Sequence, residues 1–354
     1  MYKNRDFLAA VEPAFSASSP IATLFMPTDG VITETRLSFD VHVNIPTSGS
    51  PAFTTLGLFQ AMFTLLTITA AGATFLSVQD PLVALTHQRM RGIPVVADNA
   101  STSTTGSDVK FHAELLFHWG SHPRNPWDLT GGIPAQDYSQ GGLVLNMTWP
   151  ANTAAGTNSL TIDNTTKFRL HNKVVLMSDA EYAALKASGR FAVPSFTESD
   201  YALSNYSTAS TGYLSTINLP VGQFLRGLTI LQENSSGDPT DANLNQMGLF
   251  SGGQSNDQVI TGDWIDLAQD SHVASGDDLI VANTMTVGGT NPGMAYLDFQ
   301  KQVDARTPGI ANGIFGANLT NVPLGQRFLG FSVQTATGTL KLFNEQLTPT
   351  AQPQ

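Results

Sequence analysis

The 354-residue chain contains no cysteine. Disulfide frameworks, thiolate zinc centres and thiol nucleophiles are excluded together. Charge is scarce as well: Asp, Glu, Lys and Arg make up 13% of the residues, against a usual share of roughly 25%. Cations are the smaller part of that set, 17 Lys and Arg against 28 Asp and Glu, for a formal net charge of −11. Such a chain is ill-suited to wrapping bare nucleic acid, because backbone affinity comes mainly from Lys and Arg neutralising phosphates. The signatures G-x-x-x-x-G-K-[ST], G-x-G-x-x-G and G-x-S-x-G are missing, which removes the usual marks of nucleotide binding and α/β-hydrolase chemistry. The opening residues, Met1 to Ala10, hold no apolar run, so no signal peptide is read.

One uncharged stretch, Gly57 to Leu76, has the length of a membrane span. It carries Gln60 and several threonines, lacks flanking Lys or Arg, and is interrupted by Ala70-Ala71-Gly72-Ala73. Two buried strands joined by a turn fit it better than a transmembrane helix.

Polarity comes instead from Ser, Thr and Asn, and 31 Gly and 19 Pro punctuate the chain. These residues suit strands and turns better than exposed helices. Between Arg36 and Ile45, Leu37, Phe39, Val41, Val43 and Ile45 alternate with polar residues, the period of a half-buried strand. Leu329, Phe331 and Val333 alternate likewise, Thr335-Ala336-Thr337-Gly338 supplies a turn, and Leu340 and Leu342 resume the pattern, which predicts a hairpin. Further strands are expected at 111–119, 143–149, 159–162, 167–177, 213–219, 224–232, 258–260 and 294–299. Helices between them are too few for a parallel α/β sheet, so an all-β sandwich or barrel is expected. One helix is well marked by the S-x-x-E box of Ser178 and Glu181 and by Gly189 beyond its end. Weaker helices are expected from Pro81 to Arg91 and from Asp6 to Val11. The segment 178–205 reads as a helix plus loop between two strand-rich halves. Each half is long enough for an eight-stranded antiparallel barrel, and no residue-level repeat links them.

Candidate chemistry is sparse. His112, Glu114, His118 and His122 form the densest histidine group. On a helix His118 and His122 could bind zinc, but the alternation of Phe111–Trp119 makes this a polar strand face. Asp238, Asp241, Asn243 and Asn245 form an oxygen-rich segment without EF-hand spacing, more in keeping with a solvated loop than with calcium. Asp263, Asp266 and Asp270 could include an acid pair for glycoside hydrolysis, although Asp is also a routine turn residue. Trp119, Trp127, Trp149 and Trp264 could form a sugar platform, or could anchor the core. The N-x-[ST] triplets at Asn146 and Asn318 are expected by chance in so Asn- and Thr-rich a chain. No catalytic residue, cofactor or metal is assigned, and function is expected to lie in surfaces.

The segment Tyr213-Leu214-Ser215-Thr216-Ile217-Asn218-Leu219-Pro220-Val221-Gly222-Gln223-Phe224-Leu225-Arg226-Gly227-Leu228 resembles the opening of the second barrel in major capsid proteins of tailless icosahedral bacteriophages with an internal membrane. Gly293 to Phe299 is similar to a late strand of that barrel, Asn318-Leu319-Thr320 to the following loop, and Phe328 to Leu347 to its closing hairpin. Phe111–Trp149 resembles the strand, Pro-rich loop and strand found late in the first barrel. The resemblance covers most of 205–349 and the first half more loosely. It implies two eight-stranded antiparallel jelly rolls side by side: an N-terminal arm or helix at 1–20, a first jelly roll at 21–205 including a linker helix at 179–188, and a second jelly roll with C-terminal tail at 206–354. It also implies a non-enzymatic major capsid protein, assembled in the host cytoplasm as pseudo-hexameric homotrimers that tile an icosahedral virion. Its partners would be itself, vertex (penton) and minor capsid proteins, and an internal membrane met by the N-terminal arm, with no direct nucleic-acid contact. A carbohydrate- or receptor-binding β-sandwich, such as a phage spike, is the alternative, and a β-rich glycoside hydrolase a third reading.

Overall fold

The computed structural model describes residues 3–44, 59, 62–93, 96–97, 108–120, 129–139, 142–151, 161–220, 222–251, 257–275, 293–299, 310–311, 314–315, 317–318 and 327–350. Among them the chain divides into two units, with the boundary between Leu185 and Lys186.

The first unit contains β1 (Lys3–Leu8), β2 (Ile21–Phe25), β3 (Val31–Asn44), β4 (Leu65–Ala70), β5 (Ala73–Val78), β6 (Val96–Ala97), β7 (Asp108–His118), β8 (Val144–Thr148), β9 (Thr161–Ile162) and β10 (Lys167–Leu176). Its strands pair in the orders β1-β10-β3-β7-β6, with β9 also on β3, and β5-β4-β8-β2. The second unit contains β11 (Ala192–Ala202), β12 (Ser215–Asn218), β13 (Phe224–Glu233), β14 (Leu244–Ser251), β15 (Asp257–Asp263), β16 (Met294–Asp298), β17 (Ile310–Ala311), β18 (Ile314–Phe315), β19 (Ala317–Asn318), β20 (Arg327–Val333) and β21 (Thr339–Pro349). Its main orders are β16-β13-β21-β11 and β12-β20-β14-β15.

If the very short β6, β9 and β17–β19 are set aside, each unit has eight strands in the same arrangement. Numbered by their place in the unit, strands 1-8-3-6 form one sheet and 2-7-4-5 the other, all pairings described being antiparallel. That is a jelly roll, made twice. The repeat extends to a helix after the fifth strand: α1 (Pro81–Met90) follows β5, and α3 (Trp264–Ser275) follows β15. The helix α2 (Asp179–Ala187) spans the boundary between the units.

Local chemistry explains these elements. In β3 the alternating Leu37, Phe39, Val41 and Val43 are at most 1% exposed, and each buried side chain of this size stabilises the fold by about 1.5–3 kcal/mol. Phe39 stacks on Phe168 of β10, and Trp149, just beyond β8, packs edge-on against Phe168, so aromatic rings fill the space between the two sheets. In the second unit Leu228 and Ile230 (β13), Met247 and Leu249 (β14), Leu329 and Phe331 (β20), Leu342 (β21) and Trp264 form one core. Gly57–Leu76 does contain the expected turn. Ala71 (φ 46°) and Gly72 (φ 84°) join β4 to β5, and two successive positive φ values match the twist of a hairpin. The part of that stretch before Phe59 lies outside the described residues. No helix among the described residues is long and apolar enough to cross a membrane.

The helix at Pro81 starts where expected, with the Asp80 side chain accepting from Leu82 N at 2.8 Å and proline in the first turn. At α2 the box closes in both directions: Glu181 N donates to Ser178 Oγ (3.3 Å) and Ser178 N donates to Glu181 Oε2 (2.9 Å).

Three expectations change. The helix at Asp6–Val11 is replaced by β1, because Lys3 to Leu8 pair residue for residue with β10 and Asp6 stands opposite Lys173. The loop expected after α2 is largely β11, which pairs with β21 from Ala192↔Pro349 to Ala202↔Thr339 and so belongs to the second unit. The strand expected at 258–260 runs on to Asp263, and the helix α3 follows it where no helix is expected.

Candidate assembly surfaces

The residues singled out for chemistry do not converge. His112, Glu114, Leu116 and His118 share one face of β7, as the alternation requires. His112 Nδ1 lies 2.8 Å from Asp40 Oδ1, whereas Glu114 is 3.9 Å from His112 Nε2. His118 is buried, its Nδ1 3.3 Å from the carbonyl of Gly120. His122 and Trp127 lie outside the described residues. Among those described, no cluster of three or more His, Asp or Glu could hold a metal ion.

In the 238–245 segment Asp241, Asn243 and Asn245 each have a structural side-chain partner. Asp241 Oδ1 accepts from Trp264 Nε1 and from Gly293 N, both at 2.7 Å. Asn243 donates to the Glu233 carbonyl (2.8 Å) and Asn245 to the Ser210 carbonyl (3.0 Å). Asp238 N donates to Asn234 Oδ1 in a tight turn. Asp241 thus spends an oxygen on an indole and a loop amide, and the two Asn side chains donate to backbone carbonyls.

Asp263, Asp266 and Asp270 are exposed at the start and along the outer side of α3, and Asp263 accepts from Gln246. A retaining or inverting carboxylate pair flanks the scissile bond of a bound substrate, whereas these three stand on exposed surface. Trp119, Trp149 and Trp264 are at most 2% exposed, which makes them core anchors and unavailable as a sugar platform. Asn146 lies on β8, where it accepts from Thr23 Oγ1 at 2.8 Å; Asn318 lies on β19.

The outer faces of the sheets differ sharply. On β10-β3-β7 most outward residues are charged or polar, and several are paired with one another. Glu12 binds Lys167 (2.8 Å) and Arg169 (2.5 Å), and Lys173 binds Glu34 (2.9 Å). The two cations hold Glu12 below the usual carboxylate range, the Lys167 hydrogen bond leading. Asp163 is also held low, by hydrogen bonds from Thr165 and Asn44.

On β5-β4-β8-β2 the outer face carries no charge. Ile21, Thr23 and Phe25 project from β2, with Ile21 61% and Phe25 73% exposed. Opposite them stand Thr148, Asn146 and Val144 of β8, and beyond these Leu65, Thr67 and Thr69 of β4. Sequence reading did not find this face. Its alternation is visible strand by strand, but only the pairing of β2 with β8 and of β8 with β4, strands far apart in the chain, assembles it.

In the second unit, Phe250 of β14 is fully buried, stacked on Phe328 at 5.3 Å and covered by Tyr213. The sheet β13-β21 is buried on both sides. Opposite the core just described it holds Arg226 and Glu345, both fully buried, joined at 2.7 Å, with Tyr296 Oη donating to Glu345 Oε1 at 2.7 Å.

No protein-family model and no curated protein matches the sequence. Solved structures do match it. The major capsid protein of Sulfolobus turreted icosahedral virus superposes with a TM-score of 0.74 at 13% identity, over 98% of this chain and 97% of that one. The PBCV-1 virus capsid protein gives 0.56 at 10% identity over 98% and 94%. The major capsid protein P2 of bacteriophage PM2 gives 0.53 at 9% identity over 98% and 97%. The fold is therefore that of double-jelly-roll major capsid proteins, shared along nearly the whole of both chains.

Proposed function

We propose that this chain is the major capsid protein of an icosahedral virus, located in the virion, and that it assembles as homotrimers. The observation that carries the reading is the duplicated jelly roll itself, matched end to end by the capsid protein of Sulfolobus turreted icosahedral virus. Two similar barrels per chain let three chains present six similar barrels around one threefold axis, so a trimer can tile a hexagonal lattice. The acidic balance suits a shell that does not pack directly on its genome. Candidate catalytic groups that are scattered, exposed or structurally engaged support a role in assembly over one in turnover. Vertex and minor capsid proteins complete such a shell. Membrane contact through residues 3–8 forms no part of the proposal, since those residues are a paired strand.

Size-exclusion chromatography with light scattering tests this. The expected mass is three times the 37.7 kDa chain, and electron microscopy of concentrated protein is expected to show hexagonal capsomers. A monomer at all concentrations, with no particles or sheets, overturns it.

A further inference from the structure

The outer face of β5-β4-β8-β2 is exposed along β2, half-buried along β8 and β4, and uncharged, on a chain whose net charge is −11. We infer that this face is a contact surface for a second copy of the same chain, with Ile21 and Phe25 as its apolar anchors; the inference rests on the capsid reading above and names a surface that does the assembling.

Charge decides the occupant. Two copies of an acidic protein repel wherever acidic surface meets acidic surface, and like charges juxtaposed at a contact cost several kcal/mol. The centre of a protein contact is depleted of charge, with aromatic residues enriched and the polar groups pushed to the rim. The face has that composition: Phe25 and Ile21 stand out from a floor of Thr, Asn and Val. It offers no cation for a phosphate backbone or an anionic lipid surface. Its short side chains also lose little conformational entropy when ordered.

The strand geometry points to face-on contact. β2 ends its sheet among the described residues, but Pro20 precedes it and Pro27 follows closely. Prolines at these positions restrict extension of the strand and oppose edge-to-edge pairing. Side chains on the exposed face remain available, and Thr23 donates a hydrogen bond to Asn146 across the strand pair. From strand spacing and rise, the face spans about 17 Å by 19 Å. That is smaller than the roughly 800 Å² that each partner buries in a standard interface, so the face is the uncharged centre of a larger contact.

The test is the double variant I21E/F25E, with L214E as control; Leu214 is as exposed as Phe25, at 73%, but lies in the second unit. Far-UV circular dichroism reports folding, and light scattering and electron microscopy report association. Expected is a native spectrum with association of I21E/F25E weakened about a hundredfold, or capsomers that no longer form a lattice, while L214E behaves as wild type. If I21E/F25E folds poorly, T23K is read in its place, with the same expectation. Wild-type association with undiminished association of the folded variant overturns the surface assignment alone. A wild type that never associates overturns the capsid reading and, with it, this inference. Loss of binding to glycans or vesicles with unchanged self-association also overturns the assignment, in favour of a different occupant.

Discussion

Arg226 Nε donates to Glu345 Oε2 at 2.7 Å, and both side chains are fully buried. Arg226 sits where the pairing of β13 with β21 shifts register between Leu225 and Gly227, and its guanidinium lies 5.2 Å from the ring centroid of Phe196. Two charges out of water need each other. Removing one leaves the other uncompensated, so R226M or E345Q alone is expected to destabilise by about 3–5 kcal/mol. The double variant R226M/E345Q, which leaves no lone charge, is expected to recover much of that loss. Urea unfolding followed by fluorescence measures both, and strictly additive single effects would show that the pair is not coupled.

Asp241 ties three separated segments together through Trp264 Nε1 and the amide of Gly293. Trp264 is fully buried, so its N–H has no alternative partner in bulk water. D241A is expected to cost about 1–3 kcal/mol, the penalty of a buried donor left unmade. D241N keeps an acceptor oxygen and is expected to lose less. Thermal melting of the three proteins decides it; equal stability of D241A and wild type would remove the role assigned to this carboxylate.

Much of the fold was legible because half-buried strands announce themselves. β3 and β20 alternate cleanly, and α2 carries its capping box in plain letters. The elements that were missed share a physical cause. β1 reads Lys-Asn-Arg-Asp-Phe-Leu and is almost wholly exposed, so it has no apolar period to detect. β11 contains Pro194 and a run of Thr, Glu, Ser and Asp, a poor strand by propensity that is held by continuous pairing with β21. β13 is the strand expected at 224–232, but its burial throughout was not legible, since Arg226, Gln232 and Glu233 read as exposed residues. The candidate surface was hidden more deeply still. Ile21 and Phe25 look like scattered apolar residues until β8 and β4 are laid beside β2.

Glycine at 338 is set by geometry. Its φ is 107°, and an added Cβ would stand 2.0 Å from the carbonyl oxygen of Glu233. Gly72 also has positive φ, 84°, but nothing lies within 4 Å of the added atom. G72A is therefore expected to cost only the backbone strain, about 1–2 kcal/mol. G338A carries the collision as well and is expected to cost clearly more, loosening the β20–β21 hairpin. Comparing the two melting temperatures tests the distinction, and an equal loss would refute it.

Glu12 links the segment after β1 to β10 through Lys167 and Arg169. Its folded pKa lies below the ordinary value, first because of the Lys167 hydrogen bond and then the Arg169 one. A carboxylate depressed in the folded state stabilises the protein above its unfolded pKa, roughly 4.3 for Glu. That contribution declines as pH falls below the unfolded value and is gone once the native carboxylate is protonated. Melting temperatures of wild type and E12Q are therefore expected to differ at pH 7 and to converge as the solution is acidified through the native pKa of Glu12. High salt is expected to narrow the pH 7 difference, because the pair is exposed and screening at about 1 M reduces the Debye length to roughly 3 Å. A difference that persists unchanged into acid, or is indifferent to salt, would mean that residue 12 acts through packing and not through its charge.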